Sequence, residues 1–172
     1  MTAQIQSLIR AIPDFPIPGI LFRDITPLLG DAGGFKATVD RFVDHFRGEK
    51  VDVVVGIEAR GYMIGAPVAY ALGAGFVPVR KPGKLPGQTF TEEYALEYGT
   101  NALQIHADAV GHGQRVLVVD DLLATGGTIA ATLRLLQKLG AHIVGIGVLI
   151  ELEALNGRAA LNGSDVTSFI KY

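Results

Sequence analysis

Two adjacent aspartates and a loop of small residues stand close together past the middle of the chain. Val116–Val119 form an apolar run, Asp120 and Asp121 follow it, and the small-residue loop is Ala124–Thr128. Glycines let backbone N–H groups converge on an anion, and the start of a helix adds partial positive charge. The loop therefore predicts a phosphate site. Because bare carboxylates repel a phosphate, the two aspartates indicate sugar hydroxyls and a divalent cation beside it.

The plain structural alternative for this segment is a strand, a tight glycine turn and a helix with no ligand. A turn alone does not explain two aspartates at the end of a buried strand. For the aspartates themselves, a helix cap or a position in a solvated loop remains an alternative. Two better-known phosphate loops are absent. The chain has no G-x-x-x-x-G-K-[ST], and no G-x-G-x-x-G lies between a strand and a helix.

Apolar periodicity, interrupted by glycine and proline, divides the chain into alternating strands and helices. Strands are predicted at 51–57, 75–79, 115–119 and 142–149, with a last edge strand at 166–170. Helices are predicted at 4–10, 31–47, 58–72 and 125–138. This alternation predicts an α/β fold with a central parallel sheet flanked by helices on both faces.

Two segments depart from that alternation. Pro16 and Pro18 argue against a regular element over residues 15–24. Residues 88–106 alternate polar and apolar positions on both sides of a glycine, which predicts a flexible antiparallel flap. We expect the flap and the N-terminal hood, about residues 1–30, to lie over the carboxyl edge of the sheet.

Composition fits one globular domain. The 172 residues are 49% hydrophobic and 19% charged, which predicts a single domain over 1–172 with its core at about 31–150. No apolar run is long enough to span a bilayer and no secretory signal is visible, so we expect a cytoplasmic protein without a membrane partner. The absence of cysteine excludes disulfides and thiolate metal sites. A net charge of −2 disfavours a nucleic-acid partner.

The segment 116–128 resembles the signature for 5-phosphoribosyl-1-pyrophosphate (PRPP) of type I phosphoribosyltransferases: a hydrophobic strand, two acidic residues and a Thr-Gly-x-Thr loop. Four more segments, in the same order and spacing, resemble the adenine phosphoribosyltransferase family: 15–27, 58–62, 79–87 and 96–99. The stretch after Glu153 matches less clearly and receives no role. The resemblance implies the type I phosphoribosyltransferase fold and transfer of the phosphoribosyl group of PRPP to adenine, giving AMP and pyrophosphate in purine salvage.

The family's roles carry over to matching residues. PRPP binding is implied for Asp120, Asp121, Ala124, Thr125, Gly126, Gly127, Thr128, Arg80, Lys81 and Lys84. Two catalytic residues are implied: Arg60 would contact the pyrophosphate, and Glu97 on the flap would accept the proton of purine N7 as N9 attacks the ribose. Adenine binding is implied for three hood residues, Leu21, Phe22 and Arg23, the last chiefly through its backbone.

Magnesium and a homodimer are also implied by the resemblance. Mg²⁺ keeps its waters and would be held by PRPP, with Asp120 and Asp121 reaching it at most through water, so no direct protein ligand is expected. None of the four histidines has a partner at metal-ligand spacing. The homodimer has only the high apolar fraction as independent support.

Each implied role has an ordinary structural alternative. The cluster from Arg80 to Lys84 could be a solvated basic loop, and Glu97 a solvent-facing charge. Leu21 could be ordinary core packing, and Arg23 could form a surface pair with Asp24. Rival functions are also open: a phosphoribosyltransferase for another base such as xanthine, a regulator that binds PRPP without catalysis, or a nucleotide-binding partner protein. The hood and 96–99 favour adenine, and the chain has no spare length for a DNA-binding module.

Overall fold

The computed structural model describes residues 2–95 and 100–172. In chain order the helices and strands are α1 (Thr2–Ser7), β1 (Arg10–Pro13), β2 (Leu21–Asp24), α2 (Thr26–Gly30), α3 (Ala32–Phe46), β3 (Val53–Ile57), α4 (Arg60–Leu72), β4 (Gly75–Val79), β5 (Thr89–Ala95), β6 (Thr100–His106), β7 (Arg115–Leu123), α5 (Gly127–Lys138), β8 (His142–Glu151) and β9 (Thr167–Lys171). Short 3₁₀ turns occupy Arg47–Glu49, Glu153–Leu155 and Gly157–Leu161.

Five of these strands form the central sheet. Their order is β4-β3-β7-β8-β9, and every neighbouring pair is parallel. The predicted parallel sheet is therefore confirmed, with β9 at its edge as expected. The strand order runs from β3 to β4 in one direction and from β7 through β8 to β9 in the other. Its reversal point lies between β3 and β7, and ligands of open α/β sheets bind beyond the carboxyl ends of the strands there.

Both faces of the sheet are covered. Successive side chains of a strand point to opposite faces, so Val55 and Val118 join one buried cluster with α5 and the β5–β6 hairpin. Val54 and Leu117 join the other cluster, with α1, α3 and α4. A strand buried on both faces reads as a continuous apolar run, which is why β3 and β7 were recognisable. No helix in the described ranges is long and apolar enough to cross a bilayer.

The hood contains more regular structure than the prolines suggested. The prediction that residues 15–24 hold no regular element is wrong at their end, because Leu21–Asp24 pairs antiparallel with Arg10–Pro13. Both prolines precede β2, so its N–H groups are free to bond. The predicted helix at 4–10 ends at Ser7, since Arg10 already belongs to the hairpin.

The strand that carries the aspartates is longer than predicted. β7 continues beyond Val119 because β8 runs beside it and pairs Asp120 with Val148 and Leu123 with Glu151. Helix α5 then begins two residues later than predicted, after Gly126, whose φ of +84° lies in the left-handed region. The side chains of Asp120 and Asp121 are buried and the N-cap of α5 is Gly126, so the cap and solvated-loop alternatives for the two aspartates are wrong.

The predicted antiparallel hairpin over 88–106 is confirmed, with Thr89 opposite His106. The middle of β5 is attached to α5, because Glu92 binds Arg134 at 2.9 Å and Lys138 at 2.6 Å. The flexibility of the flap stays a prediction. Glu97 lies outside the described residues.

Candidate active site

A cleft of about 370 Å³ opens at the carboxyl ends of β3 and β7, where the strand order reverses. Residues from two strand ends and the loop after β7 line it: Glu58, Ala59, Arg60, Asp120, Asp121, Leu122, Leu123, Ala124, Thr125, Gly126, Thr128 and Ile129. The structure thus brings the predicted loop, the acidic pair and Arg60 together. Gly127 is in the same loop but does not line the cleft.

The loop Ala124–Thr128 has the backbone form of an anion site. Gly126 adopts the left-handed conformation, and its carbonyl accepts the N–H of Ala130 to begin α5. The first N–H groups of a helix have no partner within the helix, and no side chain caps this one. Thr125 is exposed and Thr128 half-buried, so both hydroxyls are near the surface of the cleft. The loop can therefore offer several N–H and O–H donors to one anion.

The acidic pair is buried and asymmetric. Asp120 and Asp121 are 7% and 6% exposed. The N–H of Asp121 donates to Oδ1 of Asp120 at 2.9 Å, and Nε of Arg60 donates to Oδ2 of Asp121 at 2.5 Å. Burial, followed by the neighbouring charge of Asp121, raises the pKa of the Asp120 carboxyl well above its ordinary value. Asp121 is thus the ion-paired member, whereas the carboxyl of Asp120 is held by the N–H of Asp121.

The glycine after Arg60 is what lets α4 approach this pair. A Cβ on Gly61 would lie 2.8 Å from Oδ1 of Asp120 and 3.1 Å from the carbonyl of Val119. Any larger residue would push Asp120 away from the helix. The Ala59-Arg60-Gly61 segment therefore combines a cation with close packing against the carboxyl end of β7.

Arg60 also connects the cleft to the hood. Its guanidinium carbon lies 5.2 Å from the centre of the Phe22 ring, which packs edge-on against Phe15 at 5.1 Å. Cations are attracted to the face of an aromatic ring at this range. One arginine thus contacts both the acidic pair and a predicted adenine-binding residue.

Leu21, Phe22 and Arg23, the three predicted adenine-binding residues of the hood, do not themselves line this cleft. Leu21 is 48% exposed, so the core-packing alternative is wrong for it. The guanidinium of Arg23 stacks 3.7 Å from the centre of the Tyr172 ring. The alternative pairing of Arg23 with Asp24 is also wrong, because Asp24 pairs with Arg10 at 2.6 Å. Backbone hydrogen bonds and Arg10 lower the pKa of Asp24, which keeps this hood contact charged.

The basic loop after β4 is held by an acidic residue that the sequence analysis missed. Nε of Arg80 and the N–H of Lys81 both donate to Oε2 of Glu58, each at 3.1 Å. Arg80 also donates to the carbonyl of Lys84 at 3.2 Å. Lys81 and Lys84 are exposed, and none of the three lines the cleft. The available signal for Glu58 was its place directly after β3, beside Arg60.

The described residues do not form a direct metal site. Within 2–95 and 100–172, no three His, Cys, Asp or Glu side chains come together as ligands. The aspartate pair supplies two carboxylates, one of which already binds Arg60. Such a pair suits hydrogen bonds to hydroxyls or to water on a cation better than direct ligation.

Comparison with known proteins agrees with this geometry. Residues 33–169 match the phosphoribosyl transferase domain family. The adenine phosphoribosyltransferase of Desulfitobacterium hafniense (strain Y51) is 59% identical over 164 residues, 95% of each chain. The crystal structure of adenine phosphoribosyltransferase from Thermoanaerobacter pseudethanolicus ATCC 33223 is 53% identical, covers 100% of both chains and superposes with a TM-score of 0.97.

The enzyme from Saccharomyces cerevisiae provides a comparison with bound molecules. Its crystal structure is of a complex with an imino-altritol bisphosphate and adenine. It is 38% identical, covers 98% of this chain and 97% of its own, and has a TM-score of 0.94. Because the family match and the nearly full-length relatives agree with the fold, the chain has the type I phosphoribosyltransferase fold and belongs to the adenine phosphoribosyltransferase family.

Proposed function

We propose that this protein transfers the phosphoribosyl group of PRPP to adenine, giving AMP and pyrophosphate in purine salvage. One observation carries the proposal: a single cleft at the reversal point of the sheet holds an anion loop, a buried aspartate pair and Arg60. The relatives named adenine phosphoribosyltransferase, and the adenine in the yeast complex, support the choice of base.

The 5-phosphate of PRPP would bind the loop Ala124–Thr128 through backbone N–H groups and the two threonine hydroxyls. The ribose hydroxyls would then bind Asp120 and Asp121. The two side chains present carboxyl oxygens next to each other, and such oxygens accept hydrogen bonds from hydroxyl groups. The pair therefore suits the two hydroxyls of a vicinal diol.

The departing pyrophosphate needs positive charge. As it leaves, the ribose C1 becomes cation-like and negative charge grows on the leaving group, so preorganised cations lower the barrier. Arg60 is already in the cleft, and Arg80, Lys81 and Lys84 stand on the loop that Glu58 holds beside it. We propose that these four residues bind the pyrophosphate.

Magnesium is proposed as the cofactor, held by PRPP with Asp120 and Asp121 in contact only through water. The cation, when bound, supplies charge neutralisation at the pyrophosphate. The chain's part is to accept hydrogen bonds from the ribose hydroxyls and from water at this edge of the cleft. The two buried carboxylates fit that task, since neither stands in a cluster of three ligands.

Adenine would lie between the hood and the flap. Phe22 lies beside Arg60 and Leu21 is an exposed apolar residue of the same strand, so both would offer apolar surface to the base. The backbone of Arg23 would accept a hydrogen bond from the amino group. A backbone acceptor aimed at that amino group rejects bases with a carbonyl there, because the wrong base leaves buried polar groups unpaired. Glu97 would accept the proton from N7, and a closed flap would exclude water.

Three further predictions belong to this proposal. The chain is expected to act as one domain over residues 1–172, to form a homodimer and to work in the cytoplasm. The first is supported by one five-stranded central sheet with a buried cluster on each face.

The decisive experiment incubates the protein with PRPP and Mg²⁺ and with adenine, hypoxanthine, guanine, xanthine or orotate in parallel. AMP from adenine alone is the expected result. Turnover of a different base would keep the reaction and overturn the base assignment. Binding of PRPP without turnover of any base would favour the alternative that the protein is a regulator that binds PRPP without catalysis.

A further inference from the structure

The turn Gly157–Leu161, which the sequence analysis left without a role, packs directly behind the phosphate loop. A Cβ on Gly157 would lie 2.2 Å from the carbonyl oxygen of Ala124. Conversely, a Cβ on Gly126 would lie 2.2 Å from the carbonyl oxygen of Gly157 and 3.0 Å from Cβ of Ala160. The contact is therefore backbone against backbone, and it exists only because both positions are glycine.

An ion pair between the exposed Arg158 and the buried carboxylate of Glu151 fixes this turn to the sheet. Arg158 donates from Nε and a terminal nitrogen to the two carboxylate oxygens of Glu151, at 2.6 and 2.8 Å. Ser168 on β9 donates to the same carboxylate at 2.5 Å. Glu151 is 5% exposed, and its pKa is lowered to about 2, first of all by the hydrogen bonds from Arg158. Paired hydrogen bonds of this kind fix orientation as well as position.

Two further contacts connect the residues around the turn to β7 and to the core beside the loop. The N–H of Leu152 donates to the carbonyl of Leu123, the last residue of β7, at 2.9 Å. Leu161, at the far end of the turn, is 1% exposed and belongs to the core cluster that contains α5. The turn is thus anchored by Arg158 near its start and by Leu161 at its end, and it contacts the loop through Gly157.

We propose that Gly157, Arg158 and Glu151 are positioning residues that hold the phosphate loop in its anion-binding shape. The loop needs outside support, because Gly126 has wide conformational freedom and no side chain caps the helix that follows. Donors that are fixed before the ligand arrives bind it without a reorganisation cost. This inference rests on the proposed function, since it assigns the loop to the 5-phosphate of PRPP.

The first test is Gly157→Ala. The φ of Gly157 lies outside the left-handed region, so alanine is tolerated by the local backbone and acts through its contacts with the carbonyl of Ala124 and the side chain of Leu123. We expect the dissociation constant of ribose 5-phosphate, measured by calorimetry, and the KM for PRPP to rise about tenfold, since small displacements of positioned groups have effects of that order. The KM for adenine at saturating PRPP should stay close to that of the unaltered protein.

Gly48→Ala is the matched control. Gly48 also lies outside the left-handed region, and its Cβ would meet nothing within 4 Å. It stands in the turn after α3, outside the cleft. This variant should bind ribose 5-phosphate and PRPP as the unaltered protein does.

Arg158→Lys keeps the test open if the glycine variant does not fold. Lysine retains the charge but cannot reproduce the two-nitrogen contact with Glu151. We expect a smaller rise in the dissociation constant of ribose 5-phosphate and in the KM for PRPP. The KM for adenine should again stay unchanged. A folded Gly157→Ala protein with unaltered affinity for ribose 5-phosphate would overturn the inference. An Arg158→Lys protein with equal losses of affinity for PRPP and for adenine, together with a lower thermal stability, would also overturn the inference.

The two proposals fail in different ways. If the unaltered protein binds ribose 5-phosphate but makes no AMP, the proposed function fails while the calorimetric comparison of Gly157→Ala still decides the role of the turn. If the unaltered protein makes AMP and Gly157→Ala behaves identically, only the positioning role fails.

Discussion

Nε of Arg60 lies 2.5 Å from Oδ2 of Asp121, a residue 61 positions further along the chain. The pair joins the start of α4 to the end of β7 across the reversal point of the sheet. The side chain of Asp121 is buried, whereas that of Arg60 is 36% exposed and lines the cleft. The carboxylate of Asp121 therefore orients a guanidinium that is still accessible from the cleft. This geometry makes Asp121 both a proposed ligand of the ribose and a support for Arg60.

Asp121→Asn should therefore weaken both functions. An amide accepts a weaker hydrogen bond from Arg60, and bonds to charged groups contribute about 1.5–3 kcal/mol. We expect kcat/KM for PRPP to fall roughly 10- to 100-fold, which is that energy converted to a rate ratio. Steady-state kinetics with adenine held saturating provides the measurement.

Asp44→Asn is the control for that variant. Asp44 also binds an arginine, Arg47, but on the exposed surface of α3 and away from the cleft. Kinetics of Asp44→Asn should match the unaltered protein. A normal kcat/KM in Asp121→Asn would exclude Asp121 from PRPP binding.

Glu58→Gln tests whether Glu58, which lines the cleft, holds the basic loop from Arg80 to Lys84 in place. The change removes the negative charge that binds Nε of Arg80 and the N–H of Lys81. The loop should then sample more conformations, because an amide oxygen accepts weaker hydrogen bonds than a carboxylate. The dissociation constant of magnesium pyrophosphate is expected to rise about threefold to tenfold, which corresponds to about 1 kcal/mol. Calorimetric titration of pyrophosphate measures it directly.

Glu49→Gln is a suitable comparison, because Glu49 faces Arg115 at 3.9 Å and lies outside the cleft. Its pyrophosphate affinity should not change. Equal pyrophosphate affinities in the unaltered protein, Glu58→Gln and Glu49→Gln would mean that Glu58 does not support the loop.

Local sequence patterns predicted those elements that have an apolar run of their own, and missed those that are defined by distant partners. Strand β4 was predicted at 75–79 and is observed at Gly75–Val79, and its internal Pro78 is tolerated because β4 is an edge strand. β2 was missed because its pairing partner, β1, lies across a proline-rich turn. β7 was predicted too short because its extension depends on β8, more than twenty residues further along the chain.

The site follows the same rule. The phosphate loop and the aspartates are contiguous and carried a recognisable spacing, so they could be predicted. Glu58 gains its role only through Arg80, 22 residues away, and Gly157 only through its approach to Ala124. Neither residue type is informative alone, since a lone glutamate or glycine has many uses. Only the fold brings these partners together.

Glu97→Gln addresses the residue proposed to accept the proton from N7. Glutamine keeps the shape of the side chain but cannot act as a base at neutral pH, and general bases contribute about 10²- to 10⁴-fold to a rate. The rate of AMP formation should fall within that range, while the dissociation constant of PRPP changes little. Single-turnover kinetics separates the chemical step from product release.

Glu93→Gln provides the flap control, since Glu93 is an exposed residue of β5. It should retain the single-turnover rate of the unaltered protein. A near-normal rate in Glu97→Gln would remove Glu97 from the mechanism, and an equal loss in both variants would point to the charge of the flap.

Glu151 makes stability depend on pH in a defined direction. Its pKa is lowered from 4.5 to about 2, so the folded state favours the charged carboxylate. The resulting stabilisation is complete above pH 4.5 and is lost as the pH falls towards 2, because the unfolded chain takes up the proton first. Glu151→Gln removes this contribution. The free energies of unfolding of the two proteins, from urea titrations, should therefore differ most at pH 6 and approach each other as the pH is lowered from 4.5 towards 2. A difference that is independent of pH would show that Arg158 stabilises the turn through packing alone and not through the charge of Glu151.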